Sequence, residues 1–168
     1  MPAFDNITIK VEDPFTDQVP TELLQRAARA TLIAERVPHA EVTLVVTDDA
    51  TMRAMNRIYR GVDIPTDVLS FPAWDKSAGT DSGFVAAPEA ADYLGDILIS
   101  YPYAAHQAQT MGQAVEAELA LLTVHGILHL LGYDHATPEE EEVMWSRQNA
   151  ILATIEKGPT AGKASAAR

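Results

Sequence analysis

The chain has 168 residues, 47% of them hydrophobic, no cysteine, and twelve Lys+Arg against twenty-four Asp+Glu, a net charge of −12. Without cysteine there is no disulfide scaffold, no thiolate zinc site and no cysteine nucleophile; a chain of this length suits one domain that buries roughly 70% of its unfolded surface. The acid excess argues against polyanion binding by the whole surface, but eight of the twelve cations lie in residues 1–76, so an anion-binding face is expected from that half. The opening MPAFDNITIKVEDPF has no basic segment leading into an apolar run, and the most apolar stretch, 117–131, is short and interrupted by His125, Gly126 and His129. A cytoplasmic globule with no membrane span is expected.

Ile7, Ile9 and Val11 alternate with polar residues and predict a first strand. Thr21-Glu22 opens a helix that places Leu23, Leu24, Ala27, Thr31 and Ala34 on one side and ends before Pro38. Val42, Leu44 and Val46 predict a second strand. Thr47 or Asp48 then caps a helix with Met52, Met55 and Tyr59 facing inward and Gly61 as its stop. A third strand is expected over Asp67–Phe71, closed by Pro72, and an aperiodic surface loop over 73–91. Tyr93–Ser100 returns to strand, and Ser100 with Pro102 starts a helix that ends near Gly112.

The longest helix is expected from about Gln113 to Leu131, apolar nearly all round and therefore central, with Gly132 ending it. Thr137-Pro138-Glu139-Glu140 is a capping box that opens a last helix to about Ile155. The expectation is an α+β fold: a mixed sheet of about four strands covered by about five helices, with a buried central helix. Residues 1–156 form the single domain, and 157–168 a disordered tail.

The chemistry concentrates in HGILHLLGYDH, which holds His125, His129 and His135. Four helical residues advance about 400°, so His125 and His129 sit within roughly 40° of each other on one face. Gly132 can reverse the chain in the left-handed conformation and bring His135 back to the same point. Three converging imidazoles with a fourth position open form the catalytic zinc pattern, so one Zn2+ per chain is expected. The spacing is similar to the metzincin protease signature, but the general-base Glu of that signature is replaced by Gly126. Arg53, Arg57 and Arg60 recur along one helix face; Arg60, at the helix end, is the best placed to fork onto a phosphate.

Asn56-x-x-Tyr59-Arg60-x-x-Asp63-x-Pro65-Thr66-Asp67-Val68-Leu69-Ser70-Phe71-Pro72, then Leu94-Gly95-Asp96-Ile97, then HGILHLLGYDH, resemble the YbeY family of bacterial endoribonucleases and rRNA maturation factors. The resemblance covers roughly residues 5–155. It implies a zinc-dependent endoribonuclease directed at single strands, acting on ribosomal RNA of the small subunit and in ribosome quality control. It also implies His125, His129 and His135 as ligands and Arg60 as the catalytic arginine. RNA and the small ribosomal subunit are the expected partners, with neither DNA nor membrane. Arg57, Arg53, Thr66 and Ser70 are candidate substrate contacts; Asp67, Asp96 and Asp134 are candidates to orient ligands or shuttle protons. Two other readings compete: a zinc peptidase or amidase, and a non-catalytic ribosome-assembly factor with structural zinc. His39 and His106 are read as surface residues.

Overall fold

The computed structural model describes residues 6–73 and 93–156. Its elements run β1 (Ile7–Val11), α1 (Thr21–Ala34), β2 (Glu41–Thr47), α2 (Asp49–Arg60), β3 (Val68–Pro72) and β4 (Tyr93–Ser100), then α3 (Tyr101–Thr110), α4 (Val115–Leu130) and α5 (Pro138–Glu156). Apart from Ala73, the expected loop over 73–91 lies outside the described residues, as does the expected tail 157–168.

Side-chain caps set the starts of three helices. The Asp48 carboxylate accepts the Thr51 N–H at 2.8 Å and opens α2. Ser100 Oγ accepts the Tyr103 N–H at 3.1 Å and opens α3. Thr137 and Glu140 exchange the two bonds of the capping box at the start of α5. The strands form one mixed sheet in the order β1-β2-β4-β3; β1, β2 and β4 are parallel and β3 runs antiparallel to β4. The α+β expectation, four strands with five helices, therefore holds among the described residues.

Helix α4 is the centre of the packing. Leu119, Leu122 and Ile127 join Leu44, Ile97 and Ile99 of the sheet in one core. Its opposite side, Ala120, Val124 and Leu128, meets Ala27 of α1 and Met144 and Ile151 of α5 in a second. A helix buried on both sides has few ways to shift, because each apolar side chain withdrawn from water is worth roughly 1.5–3 kcal/mol. That rigid rod carries His125 and His129.

Several expectations are corrected. Among the described residues the longest helix is α5, with 19 residues, rather than α4, with 16. Helix α4 starts at Val115, and Gln113, just before it, turns its amide onto Glu118, 2.8 Å away. In α1 the inward residues are Leu24, Ala27, Ala28, Thr31 and Leu32, while Ala34 is exposed at the helix end. In α2 the buried stripe narrows to Met52 and Asn56, where the Asn56 amide donates to the Ile64 carbonyl at 2.9 Å. Tyr59 is left outside, 63% exposed, with its ring edge-on to Phe71.

Candidate metal centre

His125 and His129, one turn apart on α4, bring their ring centroids to 4.7 Å. The helix closes at Leu131, and Gly132 takes φ 107°, a left-handed value that a side chain disfavours. The chain turns back there. Tyr133 N–H bonds the Leu128 carbonyl at 3.0 Å, and the Asp134 carboxylate accepts the His135 N–H at 2.8 Å. His135 thus returns to 5.0 Å from His129 and 5.7 Å from His125, centroid to centroid. One ligand nitrogen from each ring lies within 4.8 Å of the others.

The donor set suits a divalent transition metal. Imidazole nitrogens are borderline ligands for zinc, copper, nickel and iron, and they must be unprotonated to bind. Burial pushes His129 from its ordinary 6.5 down to about 4, with the neighbouring imidazoles adding to the effect. Burial also lowers His125, against the opposing pull of its Gln148 contact. Both rings therefore offer lone pairs at neutral pH.

Gln148 was not foreseen from sequence. Its side chain, on α5, is only 7% exposed, and its Oε1 lies 3.0 Å from His125 Nδ1. An amide oxygen only accepts, so Nδ1 carries the proton and Nε2 keeps its lone pair for a metal. One turn earlier, Trp145 places its ring 5.5 Å from both His125 and His135. The available signal was the register Met144, Gln148, Ile151 in α5: a glutamine between two buried apolar residues needs a buried partner. Gln148→Leu should lower metal affinity by roughly 10- to 100-fold while keeping the one-to-one stoichiometry, measured by competition with a chelating dye.

The three histidines line a cleft of about 460 Å³ with Arg60, Thr66, Asp67, Ser70 and Asp134. Arg60, the last residue of α2, has no carboxylate partner among the described residues. Arg53 and Arg57 do not line this cleft: Arg53 forks onto Asp63 at 2.9 and 3.2 Å, and Arg57 Nε lies 3.8 Å from the same carboxylate. Ser70 lines the cleft while its hydroxyl donates to the Gly126 carbonyl at 3.2 Å, tying β3 to α4. Thr66 hydroxyl donates to Asp67 at 3.3 Å. Asp67 also accepts the Val68 N–H at 2.7 Å and the Gln107 amide at 3.3 Å, and Gln107 reaches the buried Glu118 beyond. Asp96 lies in β4, accepts the Tyr93 hydroxyl and does not line the cleft. Asp134 does line it and caps the return turn. His39 and His106 are exposed.

Gly126 explains the missing protease base. A Cβ there would stand 2.9 Å from Ile97 Cγ2, so α4 approaches β4 as closely as it does only because that position is bare. A glutamate side chain would have to enter the packed helix–sheet interface rather than the cleft.

A family model described as Endoribonuclease YbeY matches residues 4–156. The chain is 45% identical over 151 residues to the Endoribonuclease YbeY of Roseiflexus sp. strain RS-1, covering 89% of this chain and 92% of that one. It is 50% identical over 133 residues to the Endoribonuclease YbeY of Moorella thermoacetica, covering 79% and 84%. A solution structure of a Thermotoga maritima protein superposes with TM-score 0.59 at 23% identity over 89% of each chain, a likeness of fold.

Proposed function

The chain belongs to the YbeY family of endoribonucleases, and from that membership we propose a metal-dependent endoribonuclease that cuts single-stranded ribosomal RNA. Small-subunit RNA maturation and ribosome quality control in the cytoplasm are its proposed setting. The observation that carries this reading is one cleft in which three imidazoles converge, those of His125 and His129 kept neutral by burial, beside an arginine with no carboxylate partner among the described residues.

His125, His129 and His135 would hold the metal, proposed as zinc. A divalent cation with an open position supplies Lewis acidity, polarising a phosphoryl oxygen and making bound water acidic near neutral pH. Gln148 would hold the His125 ring through Nδ1, leaving Nε2 as the nitrogen with a lone pair for the metal. Arg60 sets its guanidinium against the phosphoryl oxygens and takes up the charge that grows on them as the bond to the leaving oxygen lengthens. Thr66 and Ser70, on the same wall, are proposed phosphate contacts; Asp67 and Asp134 are proposed to receive or orient protons there. Arg53 and Arg57 share the single carboxylate of Asp63, so the trio keeps one net positive charge. That charge is proposed to guide the RNA backbone at the rim, through contacts that weaken with salt.

Asp96 is proposed only as a support of β4, through Tyr93. The peptidase reading lacks a carboxylate at the position after His125, where Ile97 leaves no room. Purified metal-loaded protein offered ribosomal RNA and a mixture of unstructured peptides should cut the RNA and leave the peptides intact. Peptide hydrolysis without RNA cleavage would overturn the proposal.

A further inference from the structure

Next to the histidine compartment lies a second, of about 740 Å³, which shares Arg60, Ser70 and His129 with it. Its remaining walls include Tyr59, Phe71, Leu94 and Tyr133, so an aromatic pocket opens directly off the metal-ligand cleft. Tyr59 is 63% exposed, and Phe71 props its ring in a T-shaped contact at 5.2 Å and 68°. The core of α2 is filled by Met52 and Asn56, so the fold does not require an aromatic at position 59. A flat apolar face beside a guanidinium suits a ligand that carries a flat apolar ring near a fixed anionic group. A nucleotide of an unpaired strand has both, whereas in a duplex the face of the base is already stacked.

We propose that Tyr59, braced by Phe71, is the stacking platform for the nucleobase flanking the phosphate held by Arg60, and that this contact selects unpaired RNA. The inference rests on the endoribonuclease reading and adds to it a residue that sets strand specificity. Tyr59 touches the base and not the reacting atoms, so its loss falls on substrate binding.

The test compares cleavage of oligoadenylate with cleavage of the same strand annealed to oligouridylate, using metal-loaded protein. Tyr59→Ala should raise KM for the single strand about tenfold, the equivalent of one lost base stack, with kcat within about twofold. The preference for single strand over duplex should fall by a similar factor, and Tyr59→Trp should restore both. An unchanged KM, or an equal loss on single strand and duplex, would overturn the stacking role while leaving the endoribonuclease reading in place. Wild-type protein that cuts neither substrate would overturn both.

Discussion

Arg60→Ala should reduce RNA cleavage by about 10²- to 10³-fold while leaving metal content unchanged and lowering thermal stability only slightly. The size follows from what the guanidinium is placed to do. It is aimed, without a carboxylate partner among the described residues, into the cleft that holds the three histidines. A donor preorganised against charge that develops only in the transition state lowers kcat when removed, not merely affinity. Arg60 is exposed at the end of α2, so its loss to the fold is confined to a favourable helix-end charge of about 0.3–1 kcal/mol. Arg60→Lys keeps the charge and loses the two-pronged geometry, and should recover only part of the rate. The measurement is single-turnover cleavage of a ribosomal RNA fragment, with metal content determined on the same preparation. Arg53→Ala, by contrast, removes a cation outside the cleft and should leave the rate at saturating RNA little changed, its cost falling on RNA binding at low salt.

His129→Ala should abolish both metal binding and cleavage without unfolding the domain. Two imidazoles and the remaining turn do not close a site, so metal content should drop from one equivalent to near none. The fold should survive because α4 is held by apolar contacts on both faces, with Ile97, Ile99, Met144 and Ile151 among its partners. Burial of a half-buried imidazole whose proton affinity is already pushed down contributes little to that packing. In the presence of a chelator, wild type and variant should therefore melt at similar temperatures. Added metal should raise the melting temperature of wild type alone, as expected for a ligand that binds only the folded state. A variant that is unfolded by circular dichroism would instead favour a structural metal, as in the non-catalytic assembly-factor reading.

Much of this arrangement is legible in the sequence because it depends on short-range rules. Strand alternation at Ile7–Val11 and Val42–Val46, the caps at Asp48, Ser100 and Thr137, and the turn at Gly132 each involve residues a few positions apart. The convergence of His125, His129 and His135 is of the same kind, because one helical turn and one chain reversal determine it. What was hidden depends on contacts between distant segments. Gln148 meets His125 across 23 residues, and Gln107 meets Asp67 across 40. No local pattern encodes where α5 packs on α4 or which residue of α3 reaches Asp67. Tyr59 lies outside the core for a related reason: its spacing from Met52 and Met55 is that of a core stripe, but only Met52 and Asn56 of α2 are buried. The Arg53–Asp63 pair forms because the chain folds back after Gly61. The sequence singles out Arg60 by its place at the helix end, but not the shared carboxylate that occupies Arg53 and Arg57.

Chelator stripping followed by stepwise metal return, with RNA cleavage followed at each step, bears most directly on a metal held by His125, His129 and His135. Cleavage should vanish on stripping and return in proportion to metal, reaching its plateau at one equivalent of zinc per chain, with no such return in His129→Ala. Full cleavage by stripped protein, or a plateau reached equally by the histidine variant, would contradict the account.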